Sequence, residues 1–558
     1  MRREVSVVNK KVCSFPILFA LLALLIGICA VVFPASAQAA PTSTGSITVS
    51  GTVASSYDAY QIFSANVVDG DSDAKTATDL AWASDAALPV LHSAGMPNSQ
   101  TTAQEAAEWL NTDSHLTSAL SAQLARSLQS SDAVSVALNA GTAAELPCGY
   151  WLIVADDGAI AQGEAGTAPI MALVGGSAVT VKPKAATPKV QKHVLEDSTA
   201  AWQKAADATV ADDLYWRLSA TVPAGLTAYD TYTVKFVDTM SAGLDPSKVA
   251  ASMCVYVAAG ADGGFDAVSS GKDGRAGTDP AKGWTDITAQ CATKVAADGT
   301  FTVRTGDLIA ALGGADAFTA GARVVAVYNA PLNSACNHGI AKGNPNEVYL
   351  RYPRSPFADQ SGDAGFTRTP SDDACAYTWD LALTKRGSDG DKPLAGAVLS
   401  IADDRGRTLA ADGTWDAEGK ATVTTGEDGR VTVSGVDSGE LEVRELKAPK
   451  GYIAFEGTRS VTVKAEGLDV DQVAAAKPKL TITAESPLRA DSADGSTGSL
   501  EASLINTPTG TPPSITTGGF MPSTGDMAMY AAAAAAVAGA ALIVVALLVK
   551  RGGGSHKE

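Results

Sequence analysis

The sequence is poor in the residues that most enzymes use for chemistry. Five histidines are scattered over 558 residues, and His193, next to Lys192 on an alternating strand, is expected to face outward. Cysteine is scarce, with seven in the chain, and the spacings match no zinc pattern. No nucleophile-elbow or phosphate-loop motif is present, so turnover catalysis has no site. No short-period repeat marks a solenoid. Positive charge is in deficit: 42 lysines and arginines stand against 60 acidic residues, a formal net charge of −18, which argues against nucleic acid as a partner. Asp69-Gly70-Asp71-Ser72-Asp73 is spaced like a calcium loop. Leu80 stands where the bidentate glutamate should be, so no metal is expected, and no cofactor.

What is present lies first at the two ends. Arg2, Arg3, Lys10 and Lys11 precede an apolar stretch from Phe15 to Phe33, and Ala35-Ser36-Ala37-Gln38-Ala39 offers small-residue cleavage sites. This is the layout of a secretory signal peptide over residues 1–39; the alternative, an uncleaved anchor, leaves the Ala-x-Ala sites unexplained. At the other end an apolar run, 527–549, is long enough to cross a bilayer as a helix. Lys550, Arg551 and Lys557 would hold the tail, 550–558, in the cytoplasm. With 46% hydrophobic and 18% charged residues, the segment between buries cores rather than serving as a disordered tether. It is long enough for roughly three domains.

Phe520-Met521-Pro522-Ser523-Thr524-Gly525-Asp526 immediately precedes the apolar run. Pro-x-Thr-Gly, apolar helix and basic tail together resemble the cell-wall sorting signal of Gram-positive surface proteins. The resemblance implies that a membrane sortase cuts between Thr524 and Gly525 and passes the Thr524 carbonyl to an amine. Met521 replaces the usual leucine with another unbranched apolar side chain. An ordinary tail anchor is the alternative. Export places the chain in an oxidising compartment. Cys13 and Cys29 fall in the signal peptide and five cysteines remain, an odd number. Proximity along the chain pairs Cys254 with Cys291 and Cys336 with Cys375, leaving Cys148.

The chain divides into 45–185, 186–372 and 376–508, followed by a Thr/Pro/Gly stalk and sorting motif over 509–526. Short alternating runs between Gly, Asp and Pro turns predict a mainly β protein of tandem immunoglobulin-like sandwiches. The first block adds a helix, because Leu116, Leu120, Leu124 and Leu128 recur every four residues.

Polar residues at inward positions carry the chemistry. Leu381, Leu383 and Lys385 share one strand face; so do Leu441, Val443 and Glu445, and Leu500, Ala502, Leu504 and Asn506. Burying any one of the three polar groups alone is costly. Desolvation lowers a lysine's pKa, and the neutral amine is a nucleophile. Attack of Lys385 on the Asn506 side-chain carbonyl, with Glu445 polarising it and shuttling protons, would release ammonia and leave an isopeptide crosslink. The alternative is a buried salt bridge with a satisfied asparagine. Glu445-Leu446-Lys447-Ala448-Pro449-Lys450-Gly451-Tyr452 resembles the E-x-x-A-P-x-G-Y signature of collagen-adhesin (Cna) B-type domains, which form such bonds. In the middle block Lys192, Asp238 and Asn346 repeat the order at inward parity, and Asp238-Thr239-Met240-Ser241-Ala242-Gly243-Leu244 resembles the acid-bearing strand end of Gram-positive backbone pilins. The first block has only Lys75, in the polar 71–75 loop, and no crosslink is expected there.

Lys182-Pro183-Lys184 falls at a domain junction on the outward parity set by Val179 and Val181. The segment resembles the pilin motif, a strand ending in Tyr-Pro-Lys, whose lysine attacks the acyl-enzyme formed on the next subunit. Lys182 replaces the tyrosine, so Lys182 or Lys189 could substitute for Lys184. The whole resembles a major, or backbone, pilin of a sortase-assembled fimbria. That implies a secreted, wall-anchored subunit in a covalent head-to-tail polymer of identical copies, linked through Lys184 and Thr524, with a transient membrane helix. Implied partners are a pilin-class sortase, a wall-anchoring sortase, minor pilins, peptidoglycan and host surface ligands. The alternative is a monomeric wall-anchored adhesin with these domains as a stalk.

Overall fold

A computed structural model describes residues 43–510 apart from 71–73, 113, 167, 184–186, 225 and 261–282. The signal segment, the sorting motif with Thr524, the terminal apolar run and Lys184 lie outside the described residues. The structure is mostly β, with successive pairs of sheets along the chain.

In the first part, a five-stranded sheet built around Ser56–Asp69 and Gly149–Ala155 faces a three-stranded sheet centred on Thr44–Val49. Gly149–Ala155 is buried on both faces. Trp151 and Ile153 meet Ile47 of the smaller sheet, while Leu152 and Val154 meet the helices on the other side. There are three helices among the described residues of this part, Ala87–Ser93, Ala103–Asn111 and Ser118–Gln129, where sequence periodicity marks one. The third matches the leucine stripe: Leu120, Leu124 and Leu128 are buried, and Thr117 caps its start by accepting from Leu120 N at 3.1 Å. Leu116 lies before that cap. The second helix escapes a leucine count because its buried stripe is Ala103, Ala106, Ala107 and Leu110, opened by a Thr102–Glu105 capping box.

Lys75 corrects the sequence reading. It opens the strand Lys75–Trp82 and is buried, its Nζ donating to the Gly175 and Ser177 carbonyls. The polar residues before it conceal the start of a strand.

In the middle part, a six-stranded sheet runs in the order Ala201–Gln203, Val190–Glu196, Tyr215–Thr221, Arg323–Asn329, Cys254–Ala258, Trp284–Asp286. A seven-stranded sheet covers it, with Asn344–Pro353 between Asp372–Tyr377 and Lys235–Met240. Trp216, Phe236, Phe301 and Tyr352 fill the space between them. In the third part, Trp379–Gly387 and Ser499–Pro508 pair in parallel at the centre of one sheet, and Gly439–Lys447 lies in the facing sheet. The cysteine pairings do not form, for all five described cysteines are free. Cys254 packs with Tyr256 and Trp284, whereas Cys291 faces the main core. Cys375 belongs to the core of the third part and Cys336 to that of the middle part. Neighbours in sequence are thus divided between packing layers.

The parts are bound to one another. Gly166 N donates to Arg354 O at 2.6 Å, and Tyr352 Oη to Gly163 O at 2.8 Å. Further along, Arg407 meets Asp212 through two nitrogens at 2.6 and 2.8 Å, and Trp379 Nε1 donates to Asp207 at 2.6 Å. Gly339 and Gly498 touch backbone to backbone, both at positive φ, and a Cβ on Gly339 would lie 2.4 Å from the Thr497 carbonyl carbon. Gly339→Ala is therefore expected to cost about 1–3 kcal/mol. Hydrogen-exchange protection should fall at 338–341 and 495–498; unchanged protection would show that the contact carries no stability.

Candidate functional site: two buried lysine–acid–asparagine clusters

All six residues singled out by strand parity are buried, and each trio is brought to one place. In the third part, Lys385 and Asn506 lie on neighbouring parallel strands, with Lys385 level with Leu504 and Gly387 level with Asn506. Glu445 reaches them from the facing sheet. Lys385 Nζ donates to Asn506 Oδ1 and to Leu504 O, the latter at 3.3 Å, and stands 3.5 Å from Glu445 Oε1. Asn506 Nδ2 donates to both Glu445 oxygens, at 2.8 and 3.1 Å, and Phe455 N donates to Oε2 at 3.1 Å.

One detail differs from the sequence expectation. Glu445 holds the amide nitrogen and not the carbonyl oxygen, because an ammonium claims the only acceptor an amide has to offer and leaves its donors to the carboxylate. The acid thus sits beside the group that would depart as ammonia. Lys385 is 0% exposed, and burial pulls its pKa down from 10.5 to about 8 against the opposing pull of Glu445.

The middle cluster is built the other way round. Asp238 and Asn346 are on neighbouring antiparallel strands, with Met240 opposite Asn346, and Lys192 crosses from the other sheet. Lys192 Nζ donates to Asp238 Oδ2 and lies 5.6 Å from the centres of the Trp216 and Tyr328 rings. Burial lowers the Lys192 pKa to about 8 and raises that of Asp238 to about 6. Asn346 meets a fourth residue, Tyr328, with Nδ2 donating to its Oη at 2.8 Å. Sequence reasoning missed Tyr328 because Arg323–Asn329 is buried on both faces, leaving no alternation to flag an inward hydroxyl.

Near the first junction, Lys182 and Lys189 are exposed and Val179 and Val181 are half-buried. No group of residues able to hold a metal occurs among the described residues.

Each cluster places an amine of depressed basicity, a carboxyl group and a primary amide together in a buried space. That combination suits acyl transfer from the amide nitrogen to the lysine. Before any bond forms, Lys385 destabilises the fold at neutral pH. Its folded pKa lies below the unfolded one, so the unfolded chain holds the extra proton between about pH 8 and 10.5. Stability must rise with pH across that window. Denaturant titrations of Asn506→Ala should show the rise, and the same titrations of Lys385→Met/Asn506→Ala should not. Glu445→Ala in the Asn506→Ala background should cost about 3–5 kcal/mol by stranding the ammonium.

Residues 380–477 match the SpaA prealbumin-like fold domain, a stretch that includes Lys385 and Glu445 and stops before Asn506. The trypsin-resistant surface T6 protein of Streptococcus pyogenes serotype M6 is 29% identical over 143 residues, 24% of each chain. The chain spans about a quarter of the length of that curated relative. Among solved structures, the T6 backbone pilin of the same organism aligns with a TM-score of 0.45 and 17% identity, over 84% of this chain and 98% of that one. The major pilin SpaD of Corynebacterium diphtheriae gives 0.41 and 15%, over 84% and 98%. The chain is thus similar to the SpaA prealbumin-like fold domain over residues 380–477 and, over about a quarter of its length, to the trypsin-resistant surface T6 protein.

Proposed function

We propose that the chain is the structural backbone subunit of a covalently polymerised surface pilus, and that both buried clusters close into Lys–Asn isopeptide bonds. Lys192 joins Asn346 under Asp238, and Lys385 joins Asn506 under Glu445, each with loss of ammonia. A pilin-class sortase links Lys184 of one subunit to Thr524 of the next, and a wall-anchoring sortase passes the last subunit to peptidoglycan. Minor pilins and host surface ligands complete the partners. The proposed units are 45–185, 186–372 and 376–508. The observation that carries this reading is the pair of fully buried lysines, each beside a carboxyl group and joined to an asparagine amide, Lys385 directly to Asn506 and Lys192 to Asn346 through the Tyr328 hydroxyl. An ammonium in an apolar core is expensive to keep, and a neutral amide in its place removes that cost.

Intact mass of the recombinant ectodomain should fall short of the sequence mass by about 34 Da, one ammonia for each of two bonds formed by amine attack. Asn506→Ala should retain about 17 Da of that deficit and lose about 5 kcal/mol, by the chain entropy of the open loop. An undiminished mass would sink both bonds. In the native host, wall extracts boiled in detergent should show a high-molecular-weight ladder that Lys184→Ala abolishes. A single band in both strains would instead fit a monomeric anchored adhesin.

A further inference from the structure

Tyr328 occupies the centre of the middle cluster. Its Oη accepts from Lys192 Nζ at 3.0 Å and from Asn346 Nδ2 at 2.8 Å, and donates to Asp238 Oδ2 at 3.2 Å. A phenol has one proton and two lone pairs, so this set saturates it. The ring is fixed by Phe301, edge-on with centroids 4.8 Å apart, and the side chain is 0% exposed. Asp238 Oδ1 and Asn346 Oδ1 have no hydrogen-bond partner among the described residues. The acid therefore touches the amide only through the tyrosine.

The third cluster needs no such intermediary, since Asn506 Nδ2 donates directly to Glu445. Aspartate is shorter than glutamate by one carbon–carbon bond, about 1.5 Å. The phenol hydroxyl fills that gap.

We propose that Tyr328 is a catalytic residue of the middle crosslink, relaying a proton from Asp238 to the departing nitrogen of Asn346 in place of the direct contact that glutamate makes in the third part. This rests on the reading of the middle cluster as a crosslinking site. The sequence of transfers balances. Lys192 first gives one ammonium proton to the Asp238 carboxylate, leaving amine and carboxylic acid. The amine lone pair forms the bond to Asn346 Cγ, and the carbonyl electrons move to Oδ1. Tyr328 passes its proton to Nδ2 and recovers one from Asp238, which then takes the surplus proton from Nζ. The C–Nδ2 bond breaks with its electron pair on nitrogen, ammonia leaves, and the carbonyl re-forms. Tyr328 ends as it began and Asp238 ends protonated. That burial holds the Tyr328 pKa well above its usual value keeps the proton on the phenol until the intermediate demands it.

The test uses the full mature chain, sampled by intact mass and by the 192–346 crosslinked peptide at intervals after synthesis. Wild type should show both ammonia losses. Tyr328→Phe keeps the ring and should close the third bond normally, while the middle bond forms about 100-fold or more slowly, the scale of a lost proton-transfer group. Tyr328→Phe/Asp238→Glu lengthens the acid to reach Nδ2 unaided and should recover closure, which a purely structural tyrosine would not allow. Closure of Tyr328→Phe at the wild-type rate, or no recovery in the double variant, would overturn the relay. A wild-type chain that closes the third bond alone would instead refute the underlying site.

Discussion

Two ammonium groups without access to water set the terms for the rest of this molecule. A charge taken out of water must be paired and hydrogen-bonded or it opens the fold. Lys192 and Lys385 are tolerated because inward strand positions supply Asp238 and Tyr328 to one, and Glu445 and Asn506 to the other. For the acids and asparagines those positions are inward only in one strand register, because a slip of one residue would turn Asp238, Glu445, Asn346 and Asn506 to the opposite face of their strands. The register in turn depends on the apolar residues between them, Val190 and Val194 or Leu381 and Leu383, which are themselves buried. The lysines thus make the fold intolerant of error, and the cores around them make the lysines reactive.

The two clusters use the same residue order with different topology. In the third part, lysine and asparagine are neighbours within one sheet and the acid comes from across the sandwich. In the middle part, acid and asparagine are the neighbours and lysine crosses. A bond in the first arrangement would fasten two strands to each other, and in the second it would fasten two sheets. The change of acid, Glu445 in one and Asp238 in the other, goes with this difference in reach.

Much of this is legible in the amino-acid sequence. Strand parity is a strict period of two, so Lys192, Asp238, Asn346, Lys385, Glu445 and Asn506 could each be placed on an inward face by reading alternate residues. The leucine stripe at 120, 124 and 128 fixed one helix by the same kind of counting. What escaped had no periodic signal. Tyr328 lies on a strand apolar on both faces. Lys75 follows a run of polar residues that hides where its strand starts. The alanine-rich helix at 103–111 buries residues too small to stand out. Distance along the chain, which suggests the cysteine pairs, says nothing about the layer to which each side chain turns. The Gly339–Gly498 contact joins segments far apart in sequence, and only folding brings them together.

The parallel pairing of Trp379–Gly387 with Ser499–Pro508 has a mechanical consequence. The chain enters the third part at the start of one of these strands and leaves at the end of the other, so the two attachment points lie at opposite ends of the pair. A pull on the ends therefore runs along the strands and shears their hydrogen bonds together. With Lys385 bonded to Asn506 as proposed, the load would pass from Trp379 through Lys385 to Asn506 and out at Pro508. Residues 386–505 would then hang beside the load path as an unstressed loop, and outside Glu445 and the core that encloses the cluster they could vary in sequence without weakening the proposed fibre.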